Sequence, residues 1–295
     1  MLKNSTLKGY VYIIASAVIF GCMPLMTELI YAEGINSMSL VFLRNVFALP
    51  ILVLVAAARG ERIIIERKSV LSVALIALLG CALTPFLLFT SYYYLPSGTA
   101  TVLHFIYPVT VVLLEMVFIK KKMNLMRALS LAFCVGGIAL FYTPGVNISL
   151  TGIILAISSG VTYALYIFLL GIFKKKDISS FVFSFFVSAF AAVAMLAVCL
   201  ATGGLTFPKT LTAIVLCILF AILINVGAVL LFQRGTFLIG GDKSSILSTL
   251  EPITSVVVGI LILNDFFSIN VIIGSVLVVI SSVLIAVCDM KSHKR

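Results

Sequence analysis

The sequence predicts an all-α integral membrane protein of ten transmembrane helices, arranged as two inverted five-helix repeats. Hydrophobic residues make up 62% of the 295 positions and charged residues only 10%, whereas a water-soluble domain carries about 25% charged residues. The apolar positions gather into runs of bilayer-spanning length. The first half of the chain also matches the second at a nearly constant offset.

In chain order the predicted spans are 9–31, 35–57, 70–92, 97–119, 127–142, 150–171, 179–201, 210–233, 241–263 and 269–288. Each is apolar enough to stand in lipid, and each is bounded by charged or turn-forming residues. A β-barrel would alternate apolar and polar residues. The runs at 70–80 and 271–286 are apolar on both parities, so helices fit and strands do not. The first span is longer than a signal-peptide core and has no clear cleavage site, so it is expected to remain as helix one.

The positive charges orient the spans. Lys3 and Lys8 precede span one; Arg59, Arg62, Arg67 and Lys68 follow span two; Lys120, Lys121, Lys122 and Arg127 lie between spans four and five. Lys174, Lys175 and Lys176 follow span six, Arg234 and Lys243 flank the next loop, and Lys291, Lys294 and Arg295 close the chain. The alternate loops hold Lys209 alone. Cytoplasmic loops collect Lys and Arg, so both termini are expected in the cytoplasm of a multi-pass protein of the plasma or inner membrane. This pattern also accounts for the net charge of +10 without a nucleic-acid partner.

Nearly all of the chain is used by the spans, leaving no room for a folded extramembrane domain. No GxxxxGK[ST] motif occurs, which argues against ATP-driven transport by this chain alone. The six cysteines (Cys22, Cys81, Cys134, Cys199, Cys217 and Cys288) fall in or beside apolar spans without CxxC spacing and read as packing residues. With two histidines, one of them in the tail, and no carboxylate cluster or GxSxG, neither a metal nor another cofactor is expected and an enzyme is disfavoured. A filter loop, which a channel would need, is absent; lipid flipping stays open.

The internal match runs at an offset of about 144. Leu103, Pro108, Thr110 and Val112 fall on Leu247, Pro252, Thr254 and Val256; Gly9, Ile14, Ser16, Val18 and Phe20 fall on Gly152, Ile157, Ser159, Val161 and Tyr163. This divides the chain at 1–145 and 146–295. Five spans per repeat is an odd number, so the halves insert with opposite orientation. Inverted repeats of this kind belong to secondary transporters, with the substrate site near the midplane.

AVIFGCMP (17–24), VFLRNVFALPILVL (41–54), SSGVTYALY (158–166), SSILSTLEPITSVVVGILILNDFFS (244–268) and IIGSVLVVISSVLI (272–285) together resemble the EamA-type permeases of the drug/metabolite transporter superfamily. That resemblance covers nearly the whole chain as two five-helix units. It implies a central cavity lined mainly by the first, third and fourth helices of each half, and transport of small metabolites, often export of amino acids or related compounds. The sequence departs from the family where a Gly-Glu pair usually follows the fourth helix of each half: Lys121–Lys122 and Asn264–Asp265 stand there.

Ionisable groups at membrane depth are costly and face a cavity or a partner. Arg44, about nine residues into span two, is either a substrate-carboxylate anchor or a structural cap on neighbouring carbonyls. Glu251 lies near the midplane of span nine beside Pro252, on a face shared with Ser244, Ser248, Ser255 and Gly259. It could bind a substrate amine, carry a coupling proton or brace loosened backbone. Pro108 and Pro252 are expected to kink or open their helices. His104 heads the matching face of span four and belongs to a residue type that titrates near neutrality; a helix–helix contact is its plainer reading. Tyr107 is the repeat partner of Glu251, as Ser248 is of His104. Phe20, Tyr163, Tyr166, Thr90 and Asn225 complete the candidate cavity, with packing as the competing role. Glu28 and Glu115 read as interfacial groups. The sequence therefore suggests a secondary carrier of small organic metabolites working by alternating access, with amino-acid-like compounds and export favoured. Protons are a candidate coupling ion; a proton-coupled multidrug exporter or a metabolite importer is the alternative, and monomer and homodimer both remain open.

Overall fold

A computed structural model gives the fold of residues 2–120, 123–140, 149–172, 178–239, 247–248, 250–263 and 268–292. Ser244, Lys121–Lys122, Lys174–Lys176, Lys243, Asn264–Asp265, Tyr142 and His293 lie outside the described residues.

Ten helical passes are described. The first joins α1 (Leu2–Gly21) and α2 (Met23–Ala32), and the second is α3 (Ser37–Ala58). In the third, α4 (Arg67–Ala77) runs through a π-helical segment (Leu78–Leu83) into α5 (Thr84–Ser91). The fourth joins α6 (Ser97–His104) and α7 (Tyr107–Phe118), and the fifth is α8 (Leu125–Ala139). Passes six and seven are α9 (Leu150–Ile172) and α10 (Ser180–Thr202). The eighth runs from α11 (Leu211–Phe220) through a π segment (Ala221–Ala228) into α12 (Val229–Ile239); α13 (Leu250–Leu261) and α14 (Ile269–Ser292) complete the set. Seven described passes are long and apolar enough to cross a bilayer, and three, in passes five, nine and ten, are shorter apolar helices.

Side chains cap the helix starts as their sequences require. Asn36, Asn124, Ser179 and Thr210 each accept from the backbone N–H three residues on, relieving one orphan donor of α3, α8, α10 and α11. Gly203 ends α10 with φ 64°, a left-handed turn that suits a residue without Cβ. The predicted span boundaries shift modestly: pass one begins at Leu2, seven residues earlier than expected, and α12 continues to Ile239.

Cross-packing of the halves follows one rule. Pass one touches passes eight and nine, and pass six touches passes three and four. Two and seven pack together, as do four and nine, and five and ten. Adding five to each number maps the set onto itself, which is a pseudo-twofold. The direction of travel is reversed between halves. Gly9, at the start of pass one, packs on Leu238 and Ile239, whereas Gly152, at the start of pass six, packs on Tyr94 and Leu95 at the opposite end.

The seam between passes five and ten obeys the same symmetry at residue level. Ser130 Oγ donates to the Ser281 carbonyl at 2.6 Å and Ser281 Oγ returns a bond to the Ser130 carbonyl at 2.8 Å. Moved by the repeat offset, this contact becomes Gly274 against Gly137. There the helices come so close that a Cβ on Gly137 would sit 2.7 Å from the Gly274 carbonyl oxygen.

Candidate functional site

Irregular helix is concentrated at mid-depth. Proline has no N–H to give the helical ladder, and Pro24, Pro85, Pro108 and Pro252 each stand within the first residues of a helix that restarts inside a pass. The two expected kinks are more than bends. Pass four stops at His104 and resumes at Tyr107, with Phe105 and Ile106 between. Pass nine turns at Ser248 before α13 begins. The π segments sit at the same place in passes three and eight, 78 and 221 being one repeat offset apart.

Between these interruptions lies a cavity of about 120 Å³. Its wall carries matched positions from the two halves: Phe20 with Tyr163, Met23 with Tyr166, Cys81 with Ile224, and Arg44 with Val187. The frame is symmetric but its chemistry is not, since each pair sets a polar side chain against an apolar or smaller one. Glu251 lines the cavity as well, while its partner position, Tyr107, stands behind the wall.

Of the predicted residues, Glu251, His104, Tyr163, Tyr166, Asn225, Phe20 and Arg44 come together on the cavity wall. Tyr107 and Ser248 lie behind it and share a side-chain hydrogen bond. Thr90 is elsewhere: its hydroxyl sits 2.9 Å from that of Ser37 and donates to the Phe86 carbonyl at 2.6 Å. The first, third and fourth helices of each half supply most of the lining. Passes two and seven add Arg44, Phe183, Ser184, Val187 and Ser188, because these passes pack on each other across the halves and bring their middles to the central space.

Arg44 is 7% exposed, and its Nε has no hydrogen-bond acceptor among the described residues. Its guanidinium carbon lies 5.7 Å from the Phe89 ring centroid. The guanidinium thus lines the cavity with one donor unused. Tyr163 is within electrostatic reach of both Arg44 and Glu251.

His104 is held firmly. Its Nδ1 is 2.8 Å from Ser159 Oγ, whose own proton goes to the Ala156 carbonyl at 2.6 Å. The serine therefore accepts from Nδ1–H, leaving Nε2 as the free acceptor of the neutral ring. Rings of Tyr107 and Tyr163 pack at 5.7 Å and 5.3 Å. Gly160 lets pass six run against the His104 carbonyl, 2.5 Å from where a Cβ would be. Gly21 does the same for pass one against pass nine, its would-be Cβ 2.8 Å from the Glu251 carbonyl.

One end of the cavity is heavily bonded. Tyr31 stacks on Tyr93 at 4.6 Å and donates to the Phe89 carbonyl, and Ser37 N–H donates to Tyr93 Oη. Asn36 Nδ2 donates to the Gly204 carbonyl at 2.6 Å, joining the halves. At the opposite end, Ser179 hydrogen-bonds Glu61, and Arg59 and Arg234 both stand over the Phe181 ring. The residue missed from the sequence is Asn45, fully buried beside Arg44. A buried amide next to a buried cation was the available signal.

Opposed five-pass halves, helices interrupted partway along and a central cavity carrying Arg44, His104 and Glu251 fit a membrane transporter built from inverted repeats. The profile of the EamA-like transporter family matches residues 7–143 and 150–287. The chain belongs to that family. It is similar to an uncharacterized inner membrane transporter, YicL, of Salmonella typhimurium, at 24% identity over 99% of each chain. An uncharacterized transporter of Clostridium kluyveri is 22% identical over 94% of this chain and 92% of its own. A solved structure described only as "Crystal structure of protein" superposes with TM-score 0.66 at 16% identity, covering 97% of this chain and 98% of the other; that likeness concerns the fold.

Proposed function

We propose that the chain is a secondary carrier of small organic metabolites, with amino-acid-like zwitterions as the favoured cargo and export the favoured direction. The carrying observation is the cavity itself, whose lining holds the Arg44 guanidinium, with its Nε unpaired among the described residues, and the Glu251 carboxyl group. Arg44 takes the substrate carboxylate. Glu251 takes the ammonium group, or exchanges that role with a proton as the coupling ion, with His104 and Tyr163 shaping the space between. The two halves, divided at 145/146, exchange conformations to open the cavity to either side. The end carrying Arg59, Arg62, Arg67, Lys68 and Arg234 faces the cytoplasm of the cell membrane, together with both termini.

Binding is tested by a thermal-shift screen of amino acids, nucleosides and cationic drugs on the purified protein, followed by liposome flux of each hit under a pH gradient. Stabilisation by amino acids, lost in Arg44→Gln, supports the reading. Stabilisation by lipophilic cations alone, indifferent to Arg44→Gln, would replace it with the multidrug reading.

A further inference from the structure

We propose that Asn45 is a positioning residue: it ties the Arg44 segment of α3 to the π segments of both halves, so that the cavity's cation is held at a fixed place relative to the two bends. This rests on the reading of Arg44 as the site's anion-binding group.

The chemistry begins at the π segment of pass three, where Cys81 lies outside the regular α-helical ladder. Asn45 donates to it from pass two, its Nδ2 lying 3.2 Å from the Cys81 carbonyl. The same amide nitrogen donates at 2.8 Å to Val41, one turn back on α3. Both N–H groups of Asn45 are thereby used, which leaves Oδ1 as acceptor.

That oxygen receives Asn225 Nδ2 at 3.3 Å from the π segment of pass eight. Asn225 gives its other N–H to the main-chain carbonyl of Arg44 at 3.2 Å. Inverting the Asn45 amide would face its oxygen toward two carbonyls, so the network admits one orientation. Two side chains thus close a loop through the backbone of residues 44, 45 and 81, with pass two clasped between pass three of its own half and pass eight of the other. Asn45 is not on the cavity wall and touches no cargo; it acts through Arg44.

The test needs no knowledge of the cargo, because Cys81 lines the cavity and its thiol is within electrostatic reach of Arg44. Cys81 thiolate attacks a methanethiosulfonate reagent, forming a mixed disulfide and releasing methanesulfinate. Peptide mass spectrometry on the full-length protein then gives the rate with the anionic sulfonatoethyl reagent and with the cationic trimethylammonioethyl reagent. A held guanidinium favours the anion, so the wild-type rate ratio should exceed that of Arg44→Gln by about tenfold.

Asn45→Ala should bring the ratio to within about twofold of the Arg44→Gln value although the arginine is still present. The double variant should fall no further. Mere loosening of the structure speeds both reagents and leaves the ratio alone. Asn225→Ala, which removes the other clasp on residue 44, should lower the ratio too and carries the test if Asn45→Ala does not fold. A wild-type ratio retained in Asn45→Ala, or in Asn225→Ala where that variant carries the test, overturns the proposal and leaves the Arg44 reading standing. Equal ratios in wild type and Arg44→Gln overturn both.

Discussion

At the scale of single residues, Arg44 is where a working group and a structural one can be told apart by experiment. Burying a guanidinium whose Nε has no acceptor among the described residues is unfavourable, and on the proposed reading a ligand completes it. Arg44→Gln should therefore raise the melting temperature of the empty carrier while abolishing stabilisation by any carboxylate ligand; a lowered melting temperature would return Arg44 to a structural role. Glu251→Gln should leave the protein inserted and folded but uncouple or stop flux, and wild-type flux across pH would remove it from the cycle. His104 is clasped by Ser159 and two tyrosines, so a packing function competes with a titrating one. If it takes part in proton movement, His104→Ala shifts the pH profile of flux; an unchanged profile leaves packing.

At the scale of elements, close contact is as telling as chemistry. Passes five and ten meet at Gly137 and Gly274 with no space for a side chain. Gly137→Leu should cost at least about 1–3 kcal/mol of stability by overpacking, read as a lower midpoint in a thermal melt of the detergent-solubilised protein. The helices themselves were legible from the sequence because long apolar runs have one stable form in lipid. The prolines showed where passes four and nine would open. The π segment of pass eight was not legible: Ala221–Ala228 contains no proline, and its form depends on what packs around Asn225. Arg44 stands out in the sequence as a charge within an apolar span, but its orientation depends on pass two crossing to pass seven, a tertiary fact that no local spacing carries. Thr90 was misplaced for the same reason, since a hydroxyl one turn nearer the helix end serves the Ser37 contact.

At the scale of the whole molecule, the numbering rule for the passes shows how much of the architecture follows from duplication. The repeat offset read from a few apolar matches reappears in the π segments, in the paired cavity positions and in the serine and glycine contacts of the outer seam. The same plan makes a topological prediction. Ten passes return the chain to its starting side, so reporters fused at either terminus should both give cytoplasmic signal; an external C-terminus would break the count.

The uneven chemistry of the matched cavity pairs has an energetic consequence. Were both halves identical, opening to one side would be the mirror image of opening to the other, and an empty carrier would divide its time equally between them. With arginine matched by valine and tyrosine by phenylalanine, the two openings present different surroundings to the same charges. Each difference of about 1.4 kcal/mol tilts the resting distribution tenfold, so on the proposed carrier reading the same lining also sets at which face the empty protein waits.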